Sequence, residues 1–220
     1  MDAAHRSADD GAPAGTLVLA DQQSSGRGRG GKIWASAPGA GIWLTLIERP
    51  ADISGLEVLS LRVGLRAAEA LDRFAPEPIR LKWPNDLYVD QGKLGGILVE
   101  ARWREQTVEW VAIGVGVNVR RPTNVENASS LEVGAERLDV LAELVPALRS
   151  AAAATGPLDA AEIEEFNARD IARGRICTEP ARGRVAGITA RGELLIVLAD
   201  SVAPFRSGSL VLEEGEEKAQ

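Results

Sequence analysis

Short apolar runs and turn-forming residues alternate along much of the chain. The runs at 16–20 and 42–47 have the length of strands, and the second is predicted to be buried. Between residues 79 and 119 the connections are too short for crossovers, so the sheet is predicted to be mixed and mainly antiparallel. Four strands are predicted there, at 79–83, 87–89, 96–103 and 107–119, with a hairpin turn at Asp90-Gln91-Gly92. In the last of these strands, Val108, Trp110 and Ala112 alternate with Glu109, which predicts one solvated face.

Helical spacing of apolar positions predicts three helices, so the fold class is α+β. The first is predicted to begin at Ser54, with Glu57 completing a capping box, and to stop before Pro76. The other two are predicted at 135–153 and 159–170.

The pattern changes after residue 173, where short strand candidates follow one another closely. This arrangement predicts a small barrel-like β module. Its four candidate strands are 175–178, 183–189, 194–199 and 209–212. We therefore predict a domain at 1–172, a second at 173–214 and a disordered charged tail at 215–220.

Composition narrows the class of protein. The 220 residues carry a formal charge of −7, which disfavours a general nucleic-acid binder. The single cysteine, Cys177, is predicted to be a core residue of a protein from a reducing compartment. The only histidine is His5, which argues against a histidine-based metal site or a catalytic triad. No run of 18 apolar residues and no signal-peptide pattern is present, so we expect a cytoplasmic protein without membrane contact.

A basic, glycine-rich stretch lies between the first two strands. Gly26-Arg27-Gly28-Arg29-Gly30-Gly31-Lys32 combines four glycines with three cations, a composition suited to wrapping an anionic ligand. The same composition is found in mobile basic loops that contact RNA, and the stretch alone leaves both interpretations open.

Three further segments are weak signals individually. Lys82-Trp83-Pro84-Asn85-Asp86 reads as a turn at a strand end with a surface lysine. The paired glycines in the segment 93–100 suggest either a bulge or the close approach of a ligand. The third segment is Gly114-Val-Gly-Val-Asn118, which lies in the predicted strand 107–119.

The order and spacing of these segments closely resemble those of the biotin protein ligases. The resemblance implies a biotin/lipoate ligase-like catalytic domain followed by an SH3-like module. It implies that biotin and ATP form biotinyl-5′-adenylate, and that biotin then passes to a lysine of a biotin carboxyl carrier domain of acetyl-CoA carboxylase or a related carboxylase. Mg²⁺ should accompany the ATP. Such a reaction needs no nucleophile from the enzyme.

The resemblance also implies roles for individual residues. The implied catalytic residues are Lys93, which would reach the biotin carboxylate and the α-phosphate, and Arg29, which would retain the intermediate. The implied biotin and adenylate contacts are Gln23 for biotin, Arg27, Gly28 and Arg29 in the loop, Asn85 and Asp86 near the adenylate and metal region, Gly96 for close ligand approach, and Asn118 beside the nucleotide. Trp34 is expected to pack under the loop, with shaping of the pocket as the alternative. No protein metal site is predicted.

Two departures from the family pattern stand out. Gly30 occupies the position of a usual third arginine, and the Ser-Thr-Asn-like segment that binds biotin is missing before residues 1–5, which look like the start of a helix. We therefore expect that the chain begins at an internal methionine and that biotin binding is weakened.

Alternative functions remain open from the sequence. They are a lipoate ligase-like enzyme, which would share the fold, a non-catalytic binder of nucleotide or biotin, and an RNA contact through the glycine loop. Relatives dimerise in many cases, and a homodimer is left open here. No helix-turn-helix fits into residues 1–15, so no DNA binding is expected from this chain.

Overall fold

The computed structural model describes residues 1–123 and 125–213. The predicted tail at 215–220 lies outside the described residues. The helices are α1 (Asp2–Asp9), α2 (Leu59–Leu71), α3 (Arg137–Ala153) and α4 (Ala160–Arg169). The strands are β1 (Thr16–Ala20), β2 (Gly41–Glu48), β3 (Arg80–Lys82), β4 (Asp86–Val89), β5 (Gly92–Arg104), β6 (Thr107–Asn118), β7 (Ile176–Glu179), β8 (Gly183–Ile188), β9 (Leu194–Val197), β10 (Val202–Phe205) and β11 (Val211–Leu212). Within these ranges, no helix is long and apolar enough to cross a membrane.

The first six strands form one sheet in the order β1-β2-β6-β5-β4-β3. Neighbouring strands pair antiparallel throughout, as the short connections predict. The predicted α+β class with a mainly antiparallel sheet is therefore confirmed.

The two faces of this sheet have different partners. Alternate residues of β2, such as Ile42 and Leu44, join the main core together with α2 and α3. On the opposite face, Ala4 and Ala8 of α1 pack against a second cluster that includes Trp110. The predicted solvated face of β6 is wrong, because Val111 and Ile113, which share the face of Glu109, are buried in the main core. The other face, with Trp110 and Ala112, is buried under α1.

The prediction that a helix begins at Ser54 is also wrong. Leu56–Val58 forms a 3₁₀ turn, α2 begins at Leu59, and no side chain caps it. Ser54 Oγ instead accepts a hydrogen bond from Gly156 N at 2.9 Å, which ties this loop to the segment before α4. The predicted helices at 135–153 and 159–170 are confirmed to within two residues, and α4 carries a capping box between Asp159 and Glu162.

The last five strands form a second sheet in the order β10-β9-β8-β7-β11. Cys177 is buried there, as predicted. The sequence predicted four strands and missed β10, whose Pro204 argues against a strand but is tolerated at a sheet edge. The two sheets are joined by Trp83, whose Nε1 donates to the Gly192 carbonyl at 2.9 Å.

Candidate active site

A cavity of about 820 Å³ opens on the same face of the first sheet as α1, beside the part that α1 covers. Its walls are the glycine loop, the residues around the β3–β4 turn, β5, β6 and the segment 208–211 of the second sheet. Every predicted site residue lines this cavity: Gln23, Arg27, Gly28, Arg29, Asn85, Asp86, Lys93, Gly96 and Asn118. Segments that are distant in sequence therefore meet at one place.

A single row of paired residues crosses the sheet at the cavity. Trp43 pairs with Gly116, Gly116 with Gly96, Gly96 with Asp86, and Asp86 with Lys82. Residues paired across antiparallel strands point to the same face. The row thus presents an aromatic ring, two bare glycines, a carboxylate and an ammonium group in succession.

The glycines of the row allow Trp34 to approach the backbone. A Cβ atom at Gly116 would lie 2.8 Å from Trp34 Cε2, and one at Gly96 would lie 3.3 Å from Trp34 Cζ3. Trp34 also meets Trp43 edge to face, with ring centroids 6.2 Å apart. The Trp34 indole therefore packs on the sheet, and it also lines the cavity. At Gly96, the group that approaches closely in this structure is the Trp34 indole.

Lys93 is held at both its side chain and its backbone. Its Nζ lies 2.6 Å from Asp86 Oδ1 and 5.4 Å from the centroid of Trp34. Its backbone N donates to the Asn127 carbonyl at 2.7 Å, and its carbonyl accepts from Ser129 N at 2.9 Å. The ammonium group is therefore held beside Asp86 and Gly96 of the row.

Asn85 and Asn118 use their side-chain amides to brace the backbone. Asn85 Nδ2 donates to the Ile97 carbonyl at 2.7 Å, which ties the turn before β4 to β5. Asn118 Nδ2 donates to the carbonyls of Lys93, at 3.3 Å, and Ser129, at 3.0 Å. Both residues line the cavity, but their donors position other residues, and nothing in the sequence signalled this.

The glycine loop is attached on both sides of the cavity. Arg27 forms an ion pair with Asp2 of α1. Arg29 Nη2 donates a hydrogen bond to the Gly208 carbonyl, in the segment 208–211. Gly28 N donates to the Lys32 carbonyl at 2.7 Å, which closes the loop on itself. Gly30 has a φ of +66°, a left-handed conformation that glycine adopts at no steric cost.

The inner end of the cavity is occupied by Met1. Its Sδ accepts a hydrogen bond from Thr45 Oγ1 at 3.3 Å. A Cβ atom at Gly114 would lie 2.8 Å from the same sulfur. Sequence reasoning selected neither Met1 nor Thr45 as a site residue.

The electrostatic character of the cavity opposes that of the whole protein. Five basic side chains line it, Arg27, Arg29, Lys32, Lys82 and Lys93, against one acidic side chain, Asp86. Burial lowers the pKa of Lys82, and burial raises the pKa of Tyr88 to about 12. Such a site favours an anionic ligand.

Lys82 corrects one reading of the sequence. The turn segment suggested a surface lysine, but Lys82 is half-buried and lines the cavity.

Within residues 1–123 and 125–213, no group of three or more His, Cys, Asp or Glu side chains could hold a metal ion.

Comparisons with known proteins agree with this geometry. A sequence model of the Biotin/lipoate A/B protein ligase family matches residues 6–118. The bifunctional ligase/repressor BirA of Bacillus subtilis is 38% identical over 122 residues, which cover 55% of this chain and 38% of that protein. A biotin–[acetyl-CoA-carboxylase] ligase of Mycobacterium tuberculosis is 37% identical over 124 residues, which cover 53% of this chain and 45% of that protein. The matched stretch thus spans less than half the length of these curated relatives.

A solved structure matches the whole fold. It is a biotin protein ligase from Aquifex aeolicus in complex with biotin and ATP, with a TM-score of 0.80 and 24% sequence identity. The match covers 96% of this chain and 94% of that one, so it includes both sheets. The similarity shows a shared fold.

Proposed function

Because this chain belongs to the biotin/lipoate A/B protein ligase family, we propose that it attaches biotin to a lysine of a carrier protein with consumption of ATP. The observation that carries the proposal is the row of Gly116, Gly96, Asp86 and Lys82, with Lys93 fixed beside it. The Trp34 indole, packed on these glycines, offers an apolar wall for a flat, largely apolar ligand, and cations follow where its carboxylate would meet the nucleotide.

In the first step, an oxygen of the biotin carboxylate bonds to the α-phosphorus of ATP. The bond from that phosphorus to the bridging oxygen breaks, and pyrophosphate leaves. Lys93 donates to the oxygens that share the developing negative charge, and Arg29 covers the mixed anhydride against water. Both groups are already in the cavity wall, so little reorganisation is needed.

In the second step, the amine of the carrier lysine attacks the acyl carbon and AMP leaves. The amine must be neutral to attack, and Asp86 is the carboxylate in the cavity that can accept its proton. We propose the biotin carboxyl carrier domain of acetyl-CoA carboxylase or a related carboxylase as the acceptor, as the name of the mycobacterial relative suggests.

Mg²⁺ is the ion we propose to accompany ATP. It commonly uses one or two carboxylates together with substrate phosphates, and Asp86 offers one carboxylate within the cavity. When bound, the ion neutralises phosphate charge.

We further propose that residues 173–214 form an SH3-like domain and that the boundary lies near residue 172. The five-stranded antiparallel sheet supports this division, and the segment 208–211 gives the domain a role as one cavity wall.

The test is incubation of the protein with ATP, MgCl₂, an apo carrier domain and either biotin or lipoate, followed by mass measurement of the carrier. We expect the biotin adduct. Lys93→Ala should lose most of the activity, whereas Arg104→Ala, at the exposed far end of β5, should keep it. A lipoate adduct alone, or no adduct with a folded protein, would overturn the proposal.

A further inference from the structure

Lys82 is a basic residue of the cavity to which the family resemblance assigns no role. It ends β3, an edge strand, and is the last member of the cross-sheet row. Its ammonium nitrogen lies 5.9 Å from the centroid of Tyr88 and has no hydrogen-bond or ion-pair partner among the described residues. Asp86, the nearest acidic residue in the row, already binds Lys93 through Oδ1.

The surroundings of Lys82 are unfavourable for a cation without a ligand. Burial is the main cause that lowers its pKa, and the charges of Lys93, Lys32 and Arg175 add to the effect, while Asp86 opposes it. A half-buried ammonium group among like charges costs free energy unless an anion joins it. Sites arranged in this way are frequently functional.

The position of Lys82 in the row indicates which anion it meets. Neighbouring strands lie about 4.8 Å apart, so Lys82 on β3 is about 10 Å from Gly96 on β5. Lys93 lies beside Asp86 and Gly96 of the row, where the carboxylate and the α-phosphate would react. The phosphates beyond the α-position would extend outward along the row, towards Lys82.

We propose that Lys82 is a catalytic residue that binds the leaving pyrophosphate in the first step. The inference rests on the proposed function. As the bond between the α-phosphorus and the bridging oxygen breaks, its electron pair stays on the pyrophosphate oxygen, and Lys82 donates hydrogen bonds to the charge that develops. No proton transfer is required. The second step releases AMP and involves no pyrophosphate, so Lys82 acts in one half of the reaction only.

The first test is binding of sodium pyrophosphate to the protein alone, measured by titration calorimetry. Lys82→Met should weaken binding about tenfold or more, the loss expected for a charged hydrogen bond, and Lys82→Arg should restore most of it. Arg104→Met is the matched control, because it removes the same charge at an exposed site, where Arg104 pairs with Glu109. Equal pyrophosphate affinity of wild type and Lys82→Met would overturn the inference.

The second test separates the two steps. Formation of biotinyl-5′-adenylate should slow about tenfold or more in Lys82→Met, whereas transfer from added biotinyl-5′-adenylate to the carrier should stay within about twofold of wild type. Equal slowing of both steps would show a structural role and overturn the inference. If wild type forms no adenylate, the proposed function fails, and the pyrophosphate titration still decides whether Lys82 binds that anion.

Discussion

The side-chain amide of Asn118 donates to the backbone carbonyl of Lys93, with 3.3 Å between Nδ2 and the oxygen. The same nitrogen donates to the Ser129 carbonyl, and Ser129 N returns a hydrogen bond to Lys93. The end of β6 therefore fixes the backbone from which the Lys93 ammonium group extends. The position of the ammonium group depends on a residue 25 positions later in the chain.

Asn118→Ala should lower adenylate formation by loosening the backbone that carries Lys93. The loss of this donor removes the side-chain partner of the Ser129 carbonyl and leaves the Lys93 carbonyl with Ser129 N alone, at a cost of about 1–3 kcal/mol in the free energy of unfolding. Lys93 then becomes more mobile, and kcat should fall about tenfold or more while the KM for biotin changes less. Urea denaturation and steady-state kinetics measure both effects. An unchanged kcat in a destabilised variant would contradict a positioning role.

Gly116→Ala should displace Trp34. The new methyl group would lie 2.8 Å from Trp34 Cε2, which is too close for the ring to stay in place. We expect a destabilisation of about 1–3 kcal/mol and a weaker affinity for biotin, measured by denaturation and by titration calorimetry.

Gly64→Ala is the matched control for that substitution. Its Cβ would make only ordinary contacts, 3.5 Å from Ile97 Cδ1 and Leu81 Cδ2, in the middle of α2. Alanine should raise the free energy of unfolding there by about 1 kcal/mol and leave biotin affinity unchanged. If both substitutions gave the same result, the packing of Trp34 on Gly116 would not matter.

Arg29→Gly should release the reactive adenylate into solution. The side chain covers one side of the cavity and donates to the Gly208 carbonyl, so its removal opens a path for the intermediate. We expect labelling of bystander lysines, detected by blotting for biotin on an added protein such as serum albumin. Arg149→Gly, on the exposed part of α3, is the control and should show none. Absence of bystander labelling in Arg29→Gly would refute the covering role.

Asp170 should make stability depend on pH. Burial raises its pKa to about 6, although Ala172 N, Arg80 and Arg173 favour the charged form. Because the folded pKa lies above the unfolded one, Asp170 contributes stability that is present below about pH 4 and is lost as the pH rises through about 6. Asp170→Asn should gain up to about 3 kcal/mol over wild type above pH 6 and little at pH 4. Urea denaturation across this range measures the difference, and a constant difference would contradict the prediction.

Strand positions in this chain follow closely from local pattern. The run at 16–20 is β1 residue for residue, because each of its side chains meets either core or solvent in simple alternation. Local pattern could not reveal that Ser54 bonds to a loop a hundred residues away, nor that two alanines of α1 bury Trp110. Those contacts depend on tertiary packing.

The site shows the same limit. Motif order selected residues that line one cavity, because the segments that carry them meet at one face of the sheet. The roles of Asn118 as a brace and of Lys82 as a cation with no partner in the described part of the chain depend on pairing between strands, which no single segment contains.

The hydrogen bond from Arg29 to the Gly208 carbonyl joins residues separated by 179 positions. During synthesis, the glycine loop leaves the ribosome long before the segment that completes the cavity wall. A nascent chain that stalls within α4 would carry the motif residues but lack this wall. The cavity wall is therefore complete only when almost all of the chain described here has been made.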